Sequence, residues 1–466
     1  MRIAAISVMA LVAIPMAIAN AITLYEDPET GQVFTRPAAG RVELTDSDIA
    51  KPNDIPASST VKTTAKLDTS VINNITIMDP NSPDFPLGKE TRINMKFVPQ
   101  DAPNMWFQAG VRIQGSIEQT KREFENSSLP NQTLEDAYLR RARLEVGAGF
   151  GEHTSFIMDI RNDRVNQFLR DEGEFTIGDA YVQIKKPFDT SLVNFRMYRA
   201  KIDVSRSETI KSAYLVAYDR PLVADAAANF ISFNRRAANV QMLGDWKNKI
   251  HYQIATGDSI NGSGISDLLG ERLFEITDQS LFYGGKILLS PFNGWEETKK
   301  TETYMGVGKH FSVGAAYWTV PEIKGKTTFS GADFDLNHQL INIEASAHYK
   351  GLLVQSEFFK FKDVVENWAA PVLNIGDSDG WYVLSEYVIP DFYYIAPFVR
   401  YEEWDRFIGI DNTDVNSFLT GVNWYLRGNT TKIGFVYEKT TAGANIIDEG
   451  VDVNDQKLRI TSQFFF

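Results

Sequence analysis

The chain has 466 residues, a formal net charge of −13 and no cysteine, and 12% of its residues are aromatic. The absence of cysteine excludes disulfides, thiolate metal sites and cysteine nucleophiles. The acidic balance argues against a nucleic-acid partner, which would require a basic face. The five histidines show no zinc-protease or nucleophile-elbow spacing, and no phosphate-cradling glycine loop occurs. We therefore expect no enzymatic activity, no cofactor and no metal site.

The first 21 residues have the features of a secretory signal peptide. Arg2 precedes an apolar run, residues 3–18, and a small-x-small site follows at residues 19–21. The run is shorter than the roughly 20 residues that a spanning helix needs, which favours cleavage over a permanent N-terminal anchor. No later apolar stretch approaches spanning length, so an exported chain that enters a membrane would do so as a β-barrel.

Residues 22–104 are rich in Pro, Asp, Thr and Ser and show little alternation of polar and apolar positions. This composition is typical of an extended arm without a core of its own. We expect the arm to lie in the periplasm, where it is free to contact a periplasmic partner.

From residue 105 onward, sixteen segments of about ten residues alternate polar and apolar positions and are rich in β-branched and aromatic residues, as strands are. They are 105–117, 136–149, 153–163, 175–185, 191–200, 235–246, 249–257, 281–290, 303–319, 338–349, 351–362, 380–389, 392–404, 416–426, 430–440 and 456–466. Long and short connections alternate between them, and only 291–302 departs from the rhythm. The pattern predicts an all-β fold, a transmembrane antiparallel β-barrel of about 16 strands over residues 105–466, with long outer loops and short periplasmic turns.

Side-chain alternation supports the barrel. In the last segment Leu458, Ile460 and Phe464 share one face, and Arg459 and Gln463 share the other. Lipid outside and water inside require this arrangement. Several aromatic residues near segment ends are candidates for interfacial girdles, with burial within the strands as the alternative; they are Tyr138, Phe150, Trp246, Tyr252, Trp318, Trp381, Trp404 and Tyr425.

Residues 105–466 resemble the phosphate-selective porin O and P family of Gram-negative outer-membrane porins. The matching runs, in order, are LRRARLEV (139–146), DAYV (179–182), VNFR (193–196), GWYV (380–383), PFVRYE (397–402), GVNWYL (421–426) and the terminal Phe466. The resemblance implies a sixteen-stranded, usually trimeric channel with an inward-folded third loop and arginines in the lumen. The sequence departs from the family where this loop begins, at 196–201.

The polar strand faces and the longest connection contain the candidate pore-lining and anion-binding residues. They are Arg112, Arg141, Arg143, Arg161, Arg196, Arg206, Lys211, Arg220, Arg400 and Arg459. We expect those of the first five strands to form an electropositive strip, faced by Arg206, Lys211 and Arg220 of the connection 201–234. Guanidinium groups in a narrow pore attract anions and offer them bidentate hydrogen bonds. The alternative is that these cations pair with neighbouring carboxylates and only stiffen the wall.

Three functions fit the sequence. The first is an outer-membrane diffusion channel for small solutes, with a preference for anions such as phosphate or other oxyanions. Its partners would be outer-membrane lipid, lipopolysaccharide, small anionic solutes and further copies in a homotrimer. The second is a barrel scaffold for a porin–cytochrome electron conduit. The third is a plugged adhesin or receptor with residues 22–104 as the plug.

Overall fold

The computed structural model describes residues 24–26, 33–34, 42–44, 95–97, 104–125, 127–151, 153–167, 175–232, 235–259, 274–297, 301–305, 308–327, 331–369, 372–444 and 451–465. The predicted signal peptide, most of the predicted arm and the terminal Phe466 lie outside these residues. The chain divides into two compact units, Met1–Thr64 and Ala65–Phe466. In the first unit, β1 (Leu24–Glu26), β2 (Val33–Phe34) and β3 (Val42–Leu44) form a small antiparallel sheet in the order β2-β1-β3.

The second unit is a closed antiparallel barrel. Its strands are β4 (Met95–Phe97), β5 (Met105–Phe124), β6 (Gln132–Phe150), β7 (Thr154–Val165), β8 (Thr176–Lys185), β9 (Asn194–Arg199), β10 (Ala238–Trp246), β11 (Ile250–Gly257), β12 (Phe274–Gln279), β13 (Phe282–Leu289), β14 (Lys309–Thr327), β15 (Asp333–Tyr349), β16 (Leu352–Ala369), β17 (Val372–Tyr387), β18 (Ile395–Asp405), β19 (Asp414–Asn429), β20 (Thr431–Ala442) and β21 (Val453–Phe465).

The wall of the barrel has sixteen strands. β12 and β13 pair with β14 one after the other and therefore act as one interrupted strand. The short β4 continues the line of β21 along β5. The barrel closes between β21 and β5, from Val453 opposite Phe124 to Phe465 opposite Arg112. Each of the sixteen predicted segments contains a strand, although the one predicted at 303–319 begins only at Lys309, and this confirms the predicted fold class.

Several connections predicted as long loops are partly strand. The predicted loop 118–135 narrows to 125–131, and 363–379 narrows to residues 370–371, because the flanking strands continue past the expected ends. The added strand residues are largely polar, and some form charged cross-strand pairs such as Lys326 with Asp333. Alternation of apolar residues identifies only the part of a strand that has an apolar face, so the polar extensions escape it.

The two faces of the wall differ as predicted. Ile343, Phe358 and Leu458 are exposed on the outside, whereas Asn342 and Gln463 are buried inside. The same division holds along β5, β15 and β21, the strands whose alternation was clearest in the sequence. The outer surface is therefore apolar, and the inner face combines polar residues with apolar ones such as Leu340 that belong to the interior cluster.

The connection between β9 and β10, residues 200–237, folds into the barrel and is called the inserted loop here. It contains α1 (Arg206–Thr209) and α2 (Leu222–Phe230), and most of its side chains from Ala200 to Ala228 are buried. Ser205 caps α1, since its hydroxyl accepts a hydrogen bond from Glu208 N. No helix in the described part of the chain is long and apolar enough to cross a membrane.

An apolar core lies inside the barrel, between the inserted loop and the wall. Val223, Ala227 and Ile231 of the loop belong to one cluster with Trp318 and Phe359 of the wall. Four of the girdle candidates therefore face inward instead of toward lipid: Trp318 in this cluster, Trp404 packed against it, and Tyr138 and Tyr425, which are also buried. Their hydroxyl and indole groups find partners there, as buried Tyr and Trp require.

A second segment enters the lumen from the opposite end of the barrel. Residues 290–308 join β13 and β14 at the end where the other connections are short turns, and Glu297, Glu302 and Tyr304 in it are buried. Glu302 accepts a hydrogen bond from Val216 N of the inserted loop at 2.6 Å. The sequence shows that this connection is longer than a periplasmic turn, and its extra residues pack against the inserted loop inside the barrel.

Candidate anion-binding site

A polar cavity of about 410 Å³ lies between the inserted loop and strands β6, β7 and β8, on the long-loop side of the inserted loop. Eight arginines and one lysine line it with only two carboxylates; the lining residues are Arg140, Arg141, Arg143, Arg161, Asn162, Asp163, Arg164, Thr176, Lys201, Arg220, Asp225, Arg235 and Arg236. We call this cavity the arginine pocket. Its size is within the range of small-molecule sites in proteins.

A β-bulge brings two consecutive arginines to the pocket. Along β5, Gln114 is opposite Arg141 but Gly115 is opposite Leu139, so Arg140 is the extra residue. Leu139 points outward and is exposed, whereas Arg140 and Arg141 both turn to the lumen. A bulge redirects side chains that strict alternation would send to opposite faces.

Carboxylates of the inserted loop hold several of these guanidinium groups. Asp219 accepts hydrogen bonds from Arg140 Nε at 2.9 Å and from Arg459 Nη1 at 2.5 Å, and its Oδ1 lies 3.8 Å from Arg141 Nη2. Glu208 pairs with Arg220 at 3.0 Å and also with Arg235. The arginines are therefore fixed in position by charge-assisted hydrogen bonds.

Strand carboxylates hold the others. Asp163 forms a bidentate pair with Arg143, at 3.1 and 2.5 Å. Asp179 accepts a hydrogen bond from Arg236 Nε at 2.6 Å. These pairs orient the guanidinium groups at the wall, so that the remaining N–H groups stay in fixed directions.

Positive charge nevertheless remains in excess. Nine cations line the pocket, and six carboxylates reach them, namely Asp163 and Asp225 of the lining and Asp159, Asp179, Glu208 and Asp219 behind it. Arg161 makes no ion pair with any described residue. Arg141 Nε, Arg235 Nε and Arg236 Nη1 are buried and have no hydrogen-bond partner among the described residues. Unpaired buried donors are costly, and a turn of these side chains toward the pocket would let the oxygen atoms of an anion satisfy them.

The protonation of two loop residues reflects this excess. Burial, reinforced by Arg220 and Arg236, lowers the pKa of Lys201 well below its usual value. Burial of Glu208 opposes ionisation, but Arg220 and Arg235 outweigh it and lower the pKa of this carboxyl. A surrounding that destabilises a cation and stabilises a carboxylate also favours a bound anion.

Four of the predicted site residues meet in the arginine pocket. They are Arg141, Arg143 and Arg161 of the predicted strip and Arg220 of the inserted loop, which faces the strip as expected. Arg196 lies outside the pocket, over the ring of Tyr181 at 4.7 Å. Arg112 pairs with Glu145, as does Lys211, whose side chain is 48% exposed.

The other predicted residues lie elsewhere in the lumen. Arg206 does not face the strip but is buried against the opposite wall, where it binds Glu297 at 2.9 and 2.8 Å. Arg400 is buried beside Glu402 and donates to Asp219 O at 2.7 Å. Arg459 pairs with Asp219. The contacts of these three residues fit the alternative interpretation, in which each cation belongs to a structural ion pair.

Sequence reasoning missed five cations of the pocket: Arg140, Arg164, Lys201, Arg235 and Arg236. Arg140 is moved inward by the bulge and Arg164 has a positive φ of 66° at the end of β7, so alternation misplaces both. The other three belong to the inserted loop, whose irregular path has no period. The density of arginines at 140–143 and 235–236 is the one signal that could have indicated them.

No protein-family model matches the chain. No curated protein sequence matches it either.

Solved structures with the same fold are outer-membrane porins. An anion-selective porin from Comamonas acidovorans matches with a TM-score of 0.52 and 10% identity, over 77% of this chain and 100% of that chain. The outer-membrane channel DcaP of Acinetobacter baumannii matches with a TM-score of 0.52 and 10% identity, over 79% and 99%. Salmonella typhi OmpF, in a complex with daunomycin, matches with a TM-score of 0.50 and 11% identity, over 78% and 98%. At these identities the comparison shows the fold alone, and that fold is the sixteen-stranded barrel of the porins.

Proposed function

We propose that this protein is an outer-membrane diffusion channel that admits small hydrophilic anions through the arginine pocket. The observation that carries the proposal is the excess of guanidinium groups in the pocket, three of them with buried N–H donors that no described residue satisfies. A passing oxyanion would accept hydrogen bonds from the guanidinium groups that line the pocket, and these would replace the hydrogen bonds that it loses on leaving water. The anion-selective porin among the solved structures of this fold agrees with such a role.

The preferred solutes are oxyanions such as phosphate. Planar guanidinium forks match the oxygen spacing of phosphate and carboxylate groups. The resemblance of residues 105–466 to the phosphate-selective porins O and P supports the same choice.

The channel resides in the outer membrane of a Gram-negative bacterium, in contact with lipid and lipopolysaccharide, and residues 1–21 direct its export. The long loops face outward, and the part of the predicted arm before β4 lies in the periplasm. β9 has only six residues, fewer than the roughly nine that a tilted strand needs to cross the bilayer. A neighbouring copy would shield this short strand from lipid, which supports the homotrimer expected from the resemblance.

The lumen argues against an electron conduit. The inserted loop and its apolar core fill the space beside β14 to β18, and residues 290–308 enter from the other end. A chain with several haem groups would have to displace both segments.

Reversal potentials across planar bilayers test the proposed function. The full mature protein, purified from outer membranes, is inserted under a salt gradient, and potentials are measured in chloride, phosphate, sulfate and acetate salts. We expect anion selectivity in each salt and reduced chloride current when phosphate is added. Cation selectivity in all four salts would contradict the proposal.

A further inference from the structure

One carboxylate of the inserted loop holds three guanidinium groups at the rim of the arginine pocket. Asp219 accepts hydrogen bonds from Arg140 and Arg459, and its Oδ1 lies 3.8 Å from Arg141 Nη2. Arg140 and Arg141 line the pocket. The carboxylate of Asp219 thus occupies the position of an anion relative to two of the cations that would recognise a solute.

We propose that Asp219 sets how tightly the channel holds a permeating anion, as a tethered carboxylate that competes with the anion for Arg140 and Arg141. This inference rests on the proposed function. When an anion enters, Arg140 turns part of its hydrogen bonding, and Arg141 part of its ion pairing, from Asp219 to the anion oxygens. When the anion leaves, Asp219 takes these contacts back, so both guanidinium groups keep a counter-charge beside them in the lumen.

Competition of this kind favours passage of the anion through the pocket over its retention there. A channel site must attract a solute strongly enough for entry and weakly enough for release. Without a tethered competitor, a cluster of buried guanidinium groups would hold an oxyanion by several charge-assisted bonds at once. When the anion is released, the carboxylate of Asp219 replaces it as the partner of Arg140 and Arg141.

The backbone around Asp219 is anchored independently of its carboxylate. Arg400 Nη1 donates to Asp219 O at 2.7 Å, and Arg141 Nη1 donates to Tyr218 O at 2.9 Å. Asn423 Nδ2 donates to Val216 O at 3.0 Å a few residues earlier. Asp219→Asn weakens the Arg459 pair but keeps these three backbone contacts, so we expect the inserted loop to stay in place and the variant to isolate the effect of the charge.

The test measures how strongly inorganic phosphate reduces the chloride current of the full-length channel in planar bilayers. Asp219→Asn should lower the half-blocking phosphate concentration about tenfold, since two pocket arginines lose a charged competitor. Asp219→Glu should stay near wild type. Asp455→Asn is the matched control, because Asp455 is also an arginine-paired carboxylate in the barrel, bound to Arg122 at 2.8 Å, but it does not line the pocket.

A double-variant comparison tests the route of the effect. In an Arg140→Gln background, Asp219→Asn should shift the half-blocking concentration by a smaller factor, because one of the contested guanidinium groups is gone. An unchanged half-block in Asp219→Asn would overturn the inference, as would an equal shift in Asp455→Asn. A larger conductance with lost selectivity would also overturn it, since it would mean that Asp219 only holds the loop. Wild-type channels without anion selectivity would instead refute the proposed function itself.

Discussion

Arginines in this barrel have two roles that depend on the carboxylates around them. Arg206, Arg400 and Arg459 are buried in ion pairs with Glu297 of segment 290–308, Glu402 of β18 and Asp219 of the inserted loop, respectively. Arg161 lines the pocket without an ion-pair partner among the described residues, and Arg141 and Arg236 keep a buried donor without a hydrogen bond. Arg400 Nε also has no described partner but lies outside the pocket, so the side chains that can serve a solute are those that combine spare hydrogen-bonding capacity with a place in the pocket lining.

Arg161 is the most direct test of this division. Replacing it with Gln removes one cation from the pocket and breaks no ion pair to a described residue. We expect the anion-to-cation permeability ratio to fall about twofold, because the local potential in the pocket decreases. The ratio is read from the reversal potential in a potassium chloride gradient.

Arg122→Gln provides the comparison for Arg161→Gln. Arg122 is an arginine of β5 outside the pocket, and its side chain is 43% exposed. Its loss should leave the ratio unchanged. Equal effects of the two substitutions would show that selectivity does not arise in the arginine pocket.

The inserted loop is the element on which the site depends. Its position is fixed on one side by the apolar contacts of α2 and on the other by buried polar contacts. Glu357 of β16 accepts hydrogen bonds from Arg206 N at 2.9 Å and Ser207 N at 2.8 Å, at the first turn of α1. A carboxylate at a helix N-terminus satisfies donors that the helix itself cannot pair.

The Arg206–Glu297 ion pair joins the inserted loop to segment 290–308. Glu297→Gln should break this ion pair and loosen the contact between the two segments. Breaking a buried pair leaves Arg206 uncompensated, at a cost of roughly 3–5 kcal/mol. We expect noisier single-channel currents and faster proteolysis within residues 201–237. Glu296→Gln, at the partly exposed neighbouring position, is the control and should match wild type. Quiet, protease-resistant Glu297→Gln channels would refute this role.

The same pair gives a pH dependence with a defined sign. Burial raises the pKa of Glu297, but Arg206 beside it outweighs burial and lowers this pKa from the usual 4.5 to about 2. Because its pKa is lowered, ionised Glu297 stabilises the contact between the inserted loop and segment 290–308 above pH 4.5. This stabilisation is lost as the pH falls toward 2 and the carboxylate becomes protonated. We therefore expect the open-channel noise of the wild type to be constant from pH 7 to 5 and to increase below 4.5. Increased noise already at pH 6 would show that another group controls the loop.

At the scale of the whole molecule, net charge and pore charge have opposite signs. The chain carries −13, yet the arginine pocket holds nine cations against six nearby carboxylates. Fields from distant charges are screened by salt, while those of a narrow pocket act on the solute at contact distance. The net acidity of the chain therefore does not decide which ions pass.

Selectivity should accordingly depend on ionic strength in a specific way. The Debye length falls from about 10 Å at 0.1 M salt to about 3 Å at 1 M. We expect the anion-to-cation permeability ratio to decrease over this range, because the positive electrostatic potential of the pocket extends less far beyond the pocket opening. Measurements at matched gradient ratios check this. A ratio independent of salt would indicate selection by size alone.

The sequence by itself determined the barrel and the polarity of its faces. Sixteen strands, their order and the inward direction of Arg141, Arg143 and Arg161 follow from a period of two, since a strand that separates lipid from water has no other way to place its side chains. Tertiary structure alone decided the site. The bulge at Arg140, the carboxylates that hold each guanidinium, and the path of residues 200–237 depend on contacts between residues distant in sequence, such as Asp219 with Arg459 and Arg206 with Glu297. No local pattern encodes such contacts, because the loop takes its conformation from the wall into which it packs.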